Sequence, residues 1–325
     1  LACALSAAAG GLTAGAAHAA APPRAQPSAA ALRAMRWAAP TADPARAFGT
    51  QPAECLVLPA DPARRRAVEI GRAAFRTPVL LGGQAARAGL SCESCHRGGR
   101  DNPDFLFPGA SGDPGTADVT LSLFSSHRGN GVHDPKPIPD LAGPRERLKV
   151  ASGDLPKFIH GLITEEFDGP EPPPAVLAGL AEYVSALGPA ACPATKPAGA
   201  DPQPREPVTA SGLLSDVRRA AQAARDALTA EDRPTAVLML AAARARLFLI
   251  DERYAGLPAE QARLRAADRG LADLQARARA GGADTPADLD RWLAGLPAME
   301  AALRPREPAS LFSPTRLAAR ARTAR

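Results

Sequence analysis

Cys92-Glu93-Ser94-Cys95-His96 constrains the chain more than any other stretch of it. The two thiols stand three positions apart, so a single helical turn carries both on one side, and an imidazole follows at once. C-x-x-C-H is the attachment signature of c-type haem. Two thiols add to the two vinyl groups of one haem, and the adjacent His becomes the proximal iron ligand. Two other chemistries use paired cysteines. A thioredoxin-type redox pair wants a βαβ context, and no such pattern surrounds this motif. A structural zinc site wants four Cys or His ligands, usually with a second close pair, and the sequence has none. The motif therefore predicts one covalent haem c, with Cys92, Cys95 and His96 binding it and His96 on the iron.

Composition narrows the fold. The chain has 325 residues, room for two ordinary domains. It is Ala-rich and only 4% aromatic, with 34 Pro and 28 Gly, which favours helices over a large β-sandwich. The fold class expected is all-α. The formal charge of +5 is mild and spread out, and does not argue for nucleic acid. Only Lys136, Lys149, Lys157 and Lys196 are lysines, so the cations are nearly all Arg.

Residues 1–20 are small, apolar and uncharged, and Ala17-His18-Ala19 reads as an A-x-A cleavage site. This is the pattern of an export signal whose charged region would precede Leu1. Cys3 lies inside it and would be removed with it; Leu1-Ala2-Cys3 also resembles the end of a lipobox, although the apolar run continues past the Cys. Export and haem c agree, because haem c is attached outside the cytoplasm. Residues 21–52, rich in Ala, Pro and Arg, read as a flexible leader in which Trp37 is available to dock. No later stretch is apolar for about 18 residues, so no integral membrane span is expected in the mature chain.

Residues 53–193 fit a cytochrome c domain. Arg64 to Phe75 reads as an amphipathic first helix with Val68, Ile70, Gly71 and Phe75 available for packing. Pro174 to Leu187 reads as the last helix, with Leu177, Leu180, Tyr183, Val184 and Leu187 near one face. Gly71 and Tyr183 are the residues expected where the two helices cross. Residues 97–141 between them are loop-rich, as suits a core filled by haem.

Residues 70–96, with G-R-x-x-F, a short loop and then S-C-x-x-C-H, resemble the start of a haem domain in bacterial di-haem cytochrome c peroxidases and the related methylamine-dehydrogenase maturation enzymes. Glu165-Glu166-Phe167-Asp168-Gly169 before the last helix is similar to that family's domain ending. The resemblance spans residues 55–192. It implies a cytochrome-like haem domain and, more remotely, peroxide chemistry. This chain has one C-x-x-C-H where the family has two. The family's division of labour, one haem storing an electron and one meeting peroxide, therefore does not carry over.

The opposite axial position decides reactivity. Met35, Met239 and Met299 all lie outside the domain, so His/Met ligation within it is excluded. His127, in a polar Ser- and Gly-rich loop, is the first candidate, His133 the alternative, and an open site the third possibility. His160 reads as a surface or packing residue. Arg100 and Arg128 are candidates for pairing with haem propionates, against the plainer reading of solvated loop charges. Glu165 and Glu166 are the candidate acid-base groups should the haem act as an enzyme. Cys55 and Cys192 bracket the domain. In an oxidising compartment, with no other free partner, they are expected to form a disulfide joining its entry and exit.

Residues 194–208 read as a Pro-rich linker. Residues 209–303 read as a four-helix up-down bundle. Thr229 and Asp232 are expected to cap its second helix and Thr285-Pro286 its fourth; Met239 and Met299 are expected as core fillers. Residues 304–325 form an Arg-rich basic tail, read as solvated. The leading expectation is an exported, periplasmic mono-haem cytochrome that passes electrons to a redox partner protein. The alternative is a peroxidase-like haem enzyme.

Overall fold

The computed structural model describes residues 32–144, 150–192 and 204–323. The expected signal at 1–20, Cys3 within it, residues 21–31, and most of the expected linker lie outside the described residues. The chain is mostly helical, at 61% helix and 5% strand, as an Ala-rich, aromatic-poor chain should be. Among the described residues no helix is long and apolar enough to cross a membrane.

In order the elements are α1 (Pro44–Gly49), β1 (Thr50–Pro52), α2 (Pro62–Phe75), α3 (Gly83–Ala88), α4 (Cys92–Cys95), β2 (Thr116–Ala117), β3 (Lys136–Pro137), α5 (Leu155–Gly161), α6 (Pro174–Ala186) and β4 (Arg205–Pro207). Then come α7 (Ala210–Thr229), α8 (Arg233–Arg253), α9 (Pro258–Ala280), α10 (Thr285–Ala294), α11 (Leu296–Leu303) and α12 (Pro314–Thr323). The strands make two small antiparallel pairs, β1 with β4 and β2 with β3.

Helix α2 begins before Arg64 because Asp61 caps it, accepting from the Arg64 amide at 2.8 Å, and Pro62 starts the first turn. It crosses α6 glycine on glycine. A Cβ on Gly71 would stand 1.9 Å from the Gly179 carbonyl oxygen, so the backbones touch with nothing between them. Tyr183, expected opposite Gly71, lies one turn along instead. Its ring meets Phe75 edge-on at 5.1 Å and its hydroxyl donates to Glu54 at 2.7 Å. The domain's two ends meet where Leu56 bridges Leu187, and the Cys55–Cys192 disulfide closes them with a Cα–Cα distance of 4.3 Å.

In the C-terminal half α8 packs between α7 and α9, with Met239 fully buried. The expected fourth helix is broken at Gly295 into α10 and α11, because Pro297 has no amide to continue the ladder. The cap of α8 is Asp232 alone, accepting from the Thr235 amide at 3.1 Å. Thr229 instead ends α7, its hydroxyl returned to the Arg225 carbonyl. Thr285 is the first residue of α10, and its hydroxyl donates to the Gly282 carbonyl.

Three segments differ from expectation. From Leu32 onward the leader is packed, the end of the linker forms β4 against β1, and the tail forms α12. Leu32, Ala47 and Phe48 make a second apolar cluster with Leu311 and Leu317. The apolar residues in these segments are too few and too widely spaced to show a period, and they are buried by one another across the whole length of the chain. The two halves also share one continuous core, in which Val68 and Phe75 join Leu213, Val217 and Met239.

Candidate functional site

Helix α4 is one turn long. Ser91, in extended conformation, starts it. Its amide donates to the Ser94 hydroxyl at 3.0 Å, and the His96 amide closes on the Cys92 carbonyl at 2.8 Å. The turn thus presents Cys92 and Cys95 together and ends on His96. Gly98 then leaves in the left-handed region (φ +61), where a Cβ would come within 2.8 Å of the Pro52 carbonyl oxygen. The chain can pass behind β1 only as glycine.

Cys92 and Cys95 are free thiols. Burial pushes both up to about 12, so they are un-ionised at neutral pH. A disulfide-exchange pair has the opposite character, a thiol pulled down toward neutrality. Burial likewise pulls the His96 imidazole down to about 4. It is neutral, and its Nδ1–H donates to the Pro139 carbonyl at 3.0 Å. That bond fixes the tautomer and leaves the Nε2 lone pair to act as a ligand, the usual arrangement behind a metal-bound histidine. Asp140 holds the Pro139 segment in place. Arg100 grips the Asp140 carboxylate with two bonds of 2.7 Å, and a further Arg100 nitrogen stands 3.2 Å from the Cys55 sulfur. Among the described residues no group of three or more His, Cys, Asp and Glu side chains is gathered as a metal site.

The remaining expected residues form a second group. His127 and His133 lie in an exposed loop. The His127 ring is 63% exposed and pairs with Asp168 at 3.0 Å. His160 pairs with Glu171 at 2.8 Å. After α5 the chain makes one wide π-type turn, Leu162–Glu166, of a kind often found at functional sites. Arg128 spans its two carboxylates, bonding Glu165 at 2.7 Å and Glu166 at 3.2 Å. The two acids differ. Arg128 holds the exposed Glu165 below its ordinary value. Glu166 is buried, burial raises its carboxyl, and its Oε2 has no hydrogen-bond partner among the described residues. Arg100 and Arg128, offered by the sequence as propionate partners, are thus both engaged by carboxylates of the chain.

Sequence reasoning missed the buried ionic network behind the motif. Arg76 donates to Glu54 at 2.9 Å, Glu93 at 3.0 Å and Asp216 at 3.1 Å. Arg246 of α8 also bonds Glu93, one of the two variable positions of the motif itself. Against a burial that would raise them, Arg246 and Arg76 hold Glu93 below its ordinary value, and Arg76, Arg246 and Arg219 hold Asp216 well below the carboxylate range. Trp37 does dock: its indole N–H donates to the Ala88 carbonyl at 2.8 Å, and its ring lies 4.3 Å from Phe107. No protein-family model, curated protein or solved structure matches the chain.

Proposed function

We propose that the chain is an exported c-type cytochrome carrying one haem c, attached through Cys92 and Cys95 with His96 as proximal ligand, and that it passes electrons to a periplasmic redox partner. The observation that carries this reading is the state of His96. It is a neutral imidazole with Nδ1–H given to a backbone carbonyl and Nε2 free, directly after a turn bearing two un-ionised thiols. These residues suit the group: thiols to add to its vinyls, a lone pair for its iron, and a second contact that orients the ring. Bound haem would supply the reversible one-electron chemistry. The chain's own residues orient the ligand, through Pro139, Asp140 and Arg100. His127, with His133 as alternative, is the proposed distal ligand. The disulfide is compatible with an oxidising compartment.

One observation favours a second reading, peroxide reduction, which the resemblance of residues 55–192 to the di-haem peroxidase haem domain also suggests. Glu166 is a buried carboxyl with a raised pKa and an unused oxygen, the character of a general acid.

The test is the optical and paramagnetic-resonance spectrum of the purified ferric protein, with and without peroxide. A low-spin, two-histidine signature indifferent to peroxide is the result expected of an electron carrier. High-spin iron that reacts with peroxide would favour the enzyme. Retention of covalent haem after changing both Cys92 and Cys95 to Ala would refute the attachment itself.

A further inference from the structure

A cavity of about 280 Å³ lies on the other side of the motif turn, between residues 32–38, α4 and α8. Glu93 and Ser94 form part of its wall, whereas Cys92, Cys95 and His96 do not. Well-packed interiors hold few voids much larger than a water molecule, and small-ligand sites begin near this size. Its apolar wall sets four aromatic rings, Trp37, Phe48, Phe105 and Phe248, among aliphatic side chains such as Leu32, Val208 and Leu213.

The charge around it is unbalanced. Arg76 and Arg246 reach the cavity but are matched by Glu93 and Asp216. Arg97 has Asp104 near it and Arg253 has Glu252, but those two wall acids are paired with Arg46 and Arg33. Arg97 donates to the carbonyls of Ala47 and Thr50, and Arg253 to those of Leu311 and Phe48. Neither makes an ion pair among the described residues. Burial pulls both down to about 10, helped at Arg97 by Arg205 and at Arg253 by Arg97. Five Arg side chains, Arg33, Arg76, Arg97, Arg246 and Arg253, thus meet three acids, Glu93, Asp104 and Glu252, on the wall, and an anion in the cavity would offset the excess positive charge. Arg33, 61% exposed, also lines the cavity, stacked over Phe248 at 3.6 Å and paired with Glu252 at 3.0 Å.

We propose that this cavity binds a small organic anion, a carboxylate, sulfonate or phosphate on a flat apolar body of one or two rings, with Arg97 and Arg253 facing the charge and Trp37, Phe48 and Phe105 the rings. Cys92, Cys95 and His96 lie outside its wall, so the anion and a haem on the motif would not compete for the same side chains.

Calorimetric titration of the full purified chain with 2-naphthoate, 2-naphthalenemethanol and inorganic phosphate tests it. The naphthoate should bind at one site at least about tenfold more tightly than either the neutral alcohol or phosphate, because only it offers both features. Ala245→Phe, which fills the cavity from α8, should weaken naphthoate at least about tenfold. Arg33→Gln, which removes a wall cation and leaves Glu252 without its ion-pair partner, should weaken it severalfold. Equal binding of acid and alcohol, no binding of the acid, or unchanged affinity in a folded Ala245→Phe chain would overturn the proposal. If Ala245→Phe does not fold, unchanged affinity in Arg33→Gln overturns it.

Discussion

Glu165 and Glu166 show how much one position changes a carboxyl. Glu165 stands in solvent and is held ionised by Arg128. Glu166 is buried, and its charge is disfavoured by that burial. A group whose folded pKa is raised binds its proton more tightly when folded, so stability falls as pH rises from the unfolded carboxylate value through the folded one. Glu166→Gln removes that dependence. The stability difference between Glu166→Gln and the parent, read from urea unfolding at several pH values, should grow in the variant's favour as pH rises above about 4.3. Glu165→Gln should show no such trend. If the second functional reading holds, Glu166→Gln should also slow reaction with peroxide by about 100-fold, the usual scale of a lost general acid, while Glu165→Gln leaves it near parental.

At the scale of elements, two contacts position the motif. The first is the crossing of α2 and α6. With a Cβ at Gly71 placed 1.9 Å from the Gly179 oxygen, the helices must separate to admit even Ala. Gly71→Ala should cost about 3 kcal/mol, measured by thermal or denaturant unfolding. A loss below about 0.5 kcal/mol would mean that the helices yield freely. The second is the ionic bridge from α4 through Glu93 and Arg76 to α7 and α8. Asp216 lies at its centre with a depressed pKa. A depressed carboxylate contributes stability that is present above its unfolded pKa and lost as pH falls through the folded one. Asp216→Asn leaves Arg76 and Arg246 short of a counter-charge and should cost about 3–5 kcal/mol at neutral pH. The gap between variant and parent should begin to narrow as pH drops below about 3.9, where the unfolded parent protonates, and close only at the lower pH where folded Asp216 protonates too.

For the molecule as a whole, the disulfide and the shared core set cohesion. Cys55 and Cys192 close a loop with a sequence separation of 137. In the chain-entropy account such a bridge is worth about 5 kcal/mol. Reductant or a Cys55→Ser/Cys192→Ser chain should shift the urea midpoint downward accordingly, and an unchanged midpoint would remove the bridge from the stability argument. The parts of this architecture legible in the sequence were those written in local spacing. The motif turn, the amphipathic faces of α2 and α6, and the lone cysteines flanking them each carry a short-range signature. Arg76 and Glu93 carried none, since one more Arg in an Arg-rich chain looks solvated until Asp216 and Arg246 arrive from more than a hundred residues away. Phe48 and Leu317 were hidden in the same way, each an isolated apolar residue whose partner is at the far end of the chain.

The pairing of α1 with α12 sets an order of events. Phe48 and Ala47 of α1 pack with Leu311 and Leu317, so this contact cannot form until a segment more than 250 residues later has been delivered. A chain threaded through a membrane N-terminus first would hold Phe48 exposed throughout its passage. It would close only on arrival.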